Sequence, residues 1–244
     1  MRASPAQIAR TIAFTLAFYL GSIGYVLAAL LAWIVRSNRF IPAVEAWSAY
    51  HAACARVLLG IHVQFEGTPP AGSVIVALKH ESFYDAIDLP NLLAHPVVMA
   101  KAELLRIPLW GTVGRNFGLV GVEREQGARA LRTMIAEARR QMDGTRPLAI
   151  FPEGTRVTHG TRPPLQAGFA GLYKLLALPV VPVAIDSGVL YNRLWKRPGT
   201  ITIRFGEVIP AGLPRDVVEA RVWEAINALN PVDTIPALPV PDRA

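Results

Sequence analysis

Apolar and polar positions change rhythm twice along this chain. From Thr11 to Val35 there are 25 residues without a charge, bracketed by Arg10 and Arg36. As a helix this run would be about 37 Å long, enough to cross an apolar bilayer core of about 30 Å with some tilt. A second apolar helix is expected over Phe40 to Leu59, with Trp47 and Tyr50, residue types that favour the membrane–water boundary. From Gly60 onward short apolar runs alternate with amphipathic stretches. Val74–Leu78, Pro96–Ala100, Gly118–Val122, Leu148–Phe151, Val180–Ile185 and Thr200–Phe205 read as strands. Asp85–Ala94, Gln126–Met142, Gln166–Ala177 and Pro214–Leu229 read as helices. Strands alternating with helices predict an α/β fold: a mainly parallel sheet flanked by helices, with an N-terminal apolar helical membrane anchor. Three regions follow: a helical anchoring region over 1–59, an α/β domain over 60–229, and a Pro-rich tail over 230–244 with four prolines in its 15 residues.

Two arrangements of the N-terminal region are open. Its first helix spans the bilayer, or it forms with the second a hairpin embedded in one leaflet. Basic residues flank both ends, Arg2 and Arg10 before and Arg36 and Arg39 after, so charge sets no orientation. A cleaved signal peptide would have a shorter apolar part and a small-residue cleavage site directly after it.

Composition narrows the partners. The 244 residues are 52% hydrophobic and 18% charged, with 25 basic against 18 acidic side chains and a net charge of +7. A basic, apolar chain calls for an anionic partner, and the apolar excess points to membrane lipid. Dispersed basic residues without a recognition motif argue against nucleic acid. The lone Cys54 permits no intrachain disulfide and reads as a buried thiol; a free thiol suits a cytosol-facing protein. His51, His62, His80, His95 and His159 show no metal-ligand spacing, so no metal is expected.

Four segments are candidates for chemistry. Lys79-His80-Glu81-Ser82-Phe83-Tyr84-Asp85 follows the first strand directly. On a regular helix His80 and Asp85 would diverge by about 140°. With His80 in the strand-to-helix turn and Asp85 in the first helical turn, the carboxylate can reach one imidazole nitrogen and leave the other as a base. A simple capping turn, with Ser82 or Asp85 as the cap and His80 incidental, is the other reading. Gly118 to Arg124 runs an apolar strand into Glu123 and Arg124; that arginine could clamp a phosphate, or belong to a solvated charge cluster with Glu125 and Arg129. Phe151-Pro152-Glu153-Gly154-Thr155-Arg156 ends a strand in a tight turn that presents an acid, a hydroxyl and an arginine, although an ordinary polar turn would look the same. Val181-Pro182-Val183 belongs to a core strand and shapes a pocket wall.

In this order and rough spacing the four pieces resemble the glycerolipid acyltransferase family, typified by 1-acylglycerol-3-phosphate acyltransferases. The family's His-x4-Asp motif is matched by His80 and Asp85, its acid–arginine pair by Glu123-Arg124, its third motif at all six positions from Phe151 to Arg156, and its Val-Pro strand by Val181-Pro182-Val183. Lys101 to Gly111 is similar to the link between the first two motifs. Two positions depart: Glu123 stands where Asp is usual, and Lys79 where many members have Asn.

The resemblance implies an acyltransferase that moves a fatty acyl group from an acyl thioester to a lysophospholipid, with 1-acylglycerol-3-phosphate, a lysophosphatidic acid, as the leading acceptor and phosphatidic acid as product. His80 would be the base and Asp85 its orienting carboxylate. Arg124 and Arg156 would hold the acceptor's phosphate, helped by Lys101. Gly154 and Thr155 would belong to the same substrate-binding turn, and Glu153 would bind or orient the glycerol. No cofactor is implied beyond acyl-CoA or acyl carrier protein as donor. Other lysophospholipids, a lyso-ornithine lipid or glycerol 3-phosphate remain as acceptors. The catalytic domain is expected on the cytoplasmic face of a membrane, the inner or plasma membrane in a bacterium. A lipid hydrolase using a serine such as Ser82 or Ser187 is a rival, although no Gly-x-Ser-x-Gly elbow is present. A non-enzymatic lipid-binding protein is another.

Overall fold

The computed structural model describes residues 3–122, 127–192 and 194–230, of which 127–131 as backbone only. Among the described residues seven strands form one sheet: β1 (Ile61–Glu66), β2 (Ile75–Leu78), β3 (Val97–Lys101), β4 (Leu119–Val122), β5 (Leu148–Ile150), β6 (Val180–Ile185) and β7 (Gly199–Phe205). Their spatial order is β1-β7-β6-β2-β5-β3-β4. The five strands from β6 to β4 are mutually parallel. β7 runs antiparallel to β6, and β1 pairs in parallel with β7. The expected mainly parallel sheet flanked by helices is therefore the observed one.

The apolar runs are continuous because both faces are covered. All four residues of β2 are buried. Ile75 and Ala77 face a core built with the helices α6 (Gly127–Met142), α7 (Gly168–Leu176) and α8 (Arg215–Ile226). Val76 and Leu78 face the opposite core, closed by α1 (Pro5–Ile34), α2 (Phe40–Cys54) and the π turn Ala55–Leu59 that prolongs α2. In that core His51 bonds the Tyr191 hydroxyl at 2.8 Å among Phe14, Phe18 and Tyr84. Burial, with Lys196 nearby, pushes this histidine down to about 3, so it is neutral at physiological pH.

Three differences from the sequence reading have local causes. The helix expected over Asp85–Ala94 is two short ones, α3 (Phe83–Ile87) and α4 (Leu89–Leu92). Pro90 has no N–H to continue the first ladder, so α3 stops and α4 restarts with proline in its first turn. β1 was unforeseen: its burial alternates only at first, as suits a strand at the sheet's edge. The helix α5 (Trp110–Phe117) was also unforeseen, because two glycines weaken its helical signal. Gly111 is there for contact: a Cβ at this position would lie 2.1 Å from the Leu105 carbonyl oxygen.

Candidate active site

Parallel order puts the ends of β6, β2, β5, β3 and β4 along one edge of the sheet, where open α/β folds take ligands. His80 follows β2, the Pro152–Arg156 turn follows β5, and Lys101 ends β3, exposed to solvent. Glu123 and Arg124 follow β4 in the chain and lie outside the described residues.

The turn from β2 into α3 brings His80 and Asp85 together. Ser82 is the N-cap, with its Oγ accepting from the Tyr84 N–H at 3.1 Å. Asp85 is the third helical residue and closes a capping box by accepting from the Ser82 N–H at 2.8 Å. The same Oδ2 accepts from the Glu81 N–H at 2.7 Å and lies 3.2 Å from His80 Nδ1. The capping turn and the imidazole–carboxylate pair are thus one structure. Every neighbour of Oδ2 is a donor, so Nδ1 carries its proton toward Asp85. Nε2 keeps its lone pair and bonds no described residue. The imidazole stacks on Phe151, with ring centroids 4.0 Å apart, and its side chain is 15% exposed while that of Asp85 is sealed.

The segment after β5 fixes the His80 backbone on both sides. The His80 N–H points at Glu153 Oε2 at 3.4 Å, and the His80 carbonyl accepts from the Val157 N–H at 2.8 Å. Gly154 makes the turn possible with a φ of +72°, a conformation that strains other residues. The side chain of Glu153, expected from the sequence to orient a glycerol, is fully buried and ion-paired with Lys79 at 2.6 Å. Burial pushes the Glu153 carboxyl up, and the Lys79 ammonium pulls against that rise.

Lys79, the departure from the family pattern, is equally sealed. Its Nζ donates to Glu153, to the Thr161 carbonyl at 2.9 Å and to Asn227 Oδ1 at 2.7 Å. It ties the turn to the segment after α8 and has no donor left for a substrate. Glu81, also buried, faces His159 Nδ1 at 3.1 Å and accepts from the Gly188 N–H at 2.9 Å. Burial pushes its carboxyl up and His159 offsets part of that.

Thr155 and Arg156 are exposed. The Arg156 guanidinium lies over the Phe83 ring, 3.9 Å from its centroid, at the start of α3. Phe83 is three residues along the chain from His80, so this contact brings a cation to the same turn as the imidazole. Ser82 and Ser187 have no exposure, and their hydroxyls bond each other at 2.8 Å. Neither is available as a nucleophile. Sequence reading missed the parts played by Ser187, Glu81 and His159. A signal existed for Ser187: Asp186-Ser187-Gly188 is a polar punctuation directly after a buried parallel strand, at the edge where His80 sits.

The chain and its fold have counterparts among known proteins. The family profile described as Acyltransferase matches residues 60–186, more than half the chain. The chain is 27% identical to a 1-acyl-sn-glycerol-3-phosphate acyltransferase of Pseudomonas aeruginosa, across 98% of both chains. It is 30% identical to one of Helicobacter pylori, across 57% of this chain and 60% of that one. Its fold is similar to the crystal structure of the 1-acyl-sn-glycerophosphate (LPA) acyltransferase of Thermotoga maritima, with a TM-score of 0.73, 24% identity, and coverage of 91% of this chain and 97% of that chain.

Proposed function

The chain belongs to the acyltransferase family, and from that membership we propose that it transfers a fatty acyl group from an acyl thioester to the sn-2 hydroxyl of 1-acylglycerol-3-phosphate, giving phosphatidic acid. The observation that carries the reading is the 3.2 Å approach of His80 Nδ1 to Asp85 Oδ2, which leaves Nε2 as a base. His80 Nε2 removes the hydroxyl proton while the oxygen attacks the thioester carbonyl. The tetrahedral intermediate collapses, the carbon–sulfur bond breaks, and the imidazolium returns the proton to the leaving thiolate. Asp85 stabilises the imidazolium in between. No covalent enzyme intermediate is needed.

Arg156, with Arg124 and Lys101, binds the acceptor's phosphate, and Gly154 and Thr155 shape that subsite. The donor is acyl-CoA or acyl carrier protein, and no metal or other cofactor takes part.

The enzyme works at a membrane surface, with its catalytic domain on the cytoplasmic side. The run of α1 supports insertion into one leaflet over crossing. Its first turns contact Trp195 and Lys196, and its later turns pack with Val44, Val113 and Phe117. A helix held lengthwise against the domain cannot also leave it to cross the bilayer. Its outer face presents Ile12, Leu16, Tyr19, Ile23, Leu27, Leu31 and Ile34, all exposed and three or four residues apart.

The test is a panel of acceptors against both donors with purified protein in mixed micelles. The panel comprises lysophosphatidic acid, other lysophospholipids, lyso-ornithine lipid and glycerol 3-phosphate. The highest kcat/KM is expected with lysophosphatidic acid. A higher value for another acceptor would reassign the substrate, and thioester hydrolysis with no acceptor dependence would refute the transfer reaction.

A further inference from the structure

Both oxygens of Asp85 are engaged, but by different parts of the chain. Oδ2 takes the two N–H groups and the imidazole of its own turn. Oδ1 takes the Ser187 hydroxyl at 2.5 Å, from a residue 102 positions further along, just beyond β6. Its other neighbour, Ser82 Oγ, is at 3.5 Å.

The direction of these bonds follows from proton counting. A serine hydroxyl has one proton. Asp85 can only accept, so Ser187 gives its proton to Oδ1. Ser82 Oγ receives the Tyr84 N–H and passes its own proton to Ser187 at 2.8 Å. The series therefore runs Ser82 to Ser187 to Asp85, and all three residues are buried. Water has no access to replace a missing donor.

Three donors crowd one carboxylate oxygen, and rotation about the Cβ–Cγ bond would carry that oxygen off the imidazole. The strong contact on Oδ1 blocks this rotation. We propose that Ser187 is a positioning residue for acyl transfer: from the end of β6 it locks the Asp85 carboxylate in the one rotation that keeps His80 oriented as the base. The proposal rests on the assignment of His80 and Asp85 made above. It also accounts for the place of β6 beside β2, since that pairing delivers Ser187 to the catalytic turn.

Ser187→Ala removes the donor and leaves the other ionisable neighbours in place: Glu81 with His159, Glu153 with Lys79, Asp88, Tyr84 and Tyr191. Without it the carboxylate is free to turn off the imidazole, which then loses the partner that stabilises its protonated form. The experiment measures kcat, acceptor KM and the pH–rate profile for the intact protein, Ser187→Ala, Ser187→Cys and His80→Ala. Ser187→Ala is expected to lower kcat roughly ten- to hundredfold with acceptor KM near that of the parent, and to move the acid limb to lower pH. Ser187→Cys, similar in volume and a weak donor, should fall between. A parental kcat and pH profile in Ser187→Ala, or a loss confined to KM, overturns the positioning role when His80→Ala is inactive. Activity retained in His80→Ala overturns the underlying assignment instead. If Ser187→Ala does not fold, Ser187→Cys decides by the same two readouts.

Discussion

One carboxylate, Asp85, does two jobs, and this explains a spacing that looks wrong on a helical wheel. Residues five apart on a helix do not meet, but His80 lies in the turn and only Asp85 in the helix. The sequence supported both a capping box and a base–carboxylate pair as separate possibilities; the structure makes them one arrangement. The burial of Glu153 was not legible, because a polar residue in a tight turn is ordinarily exposed, and only the buried partner Lys79, 74 residues earlier, makes inward burial tolerable. Ser187 carried only a weak signal, the polar punctuation after a buried strand, because its contact with Asp85 depends on strand order, which one chain does not declare. Arg156 offers a test at this scale. Arg156→Ala should raise the acceptor KM about tenfold or more while kcat changes far less, measured at saturating donor. An unaltered acceptor dependence would remove it from the phosphate subsite.

At the scale of elements, strand runs were legible because strands buried on both faces are apolar throughout. The edge strand β1 and the glycine-weakened α5 were not, since tertiary contacts hold them more than propensity does. The break between α3 and α4 carries a stability consequence. Asp88 sits at that break, buried, with Asn91 donating to Oδ1 at 3.2 Å and no partner for Oδ2 among the described residues. Burial pushes its carboxyl up to about 7. A carboxyl raised in the folded state holds its proton longer than the unfolded chain does, so this contribution is intact below about pH 4. It is lost as pH rises toward about 7, by roughly 4 kcal/mol. Asp88→Asn should therefore flatten the fall in stability between pH 5 and 8, read by chemical denaturation at both ends. An unchanged slope would place the titrating group elsewhere.

For the whole molecule, the N-terminal helices close the face of the sheet that carries Val76 and Leu78, and they also present an apolar stripe outward. On the proposed reading, enzyme and lipid contact share one frame, which would bring a membrane-borne acceptor to the sheet edge without a long diffusive search. Replacing Leu16, Leu27 and Leu31 together by Glu should release the protein from anionic vesicles in a flotation assay, since each buried leucine is worth about 2 kcal/mol. Retained flotation would move the lipid contact to another surface.

The central claim is that one imidazole activates a lipid hydroxyl against a thioester. The most direct measurement follows free thiol and phosphatidic acid together, for the intact protein and for a folded His80→Ala variant, with and without lysophosphatidic acid. The account predicts equal yields of thiol and phosphatidic acid, dependence on the acceptor, and loss of both by about 10²- to 10⁴-fold in the variant. Thiol release that ignores the acceptor, or a variant as active as its parent, would contradict it.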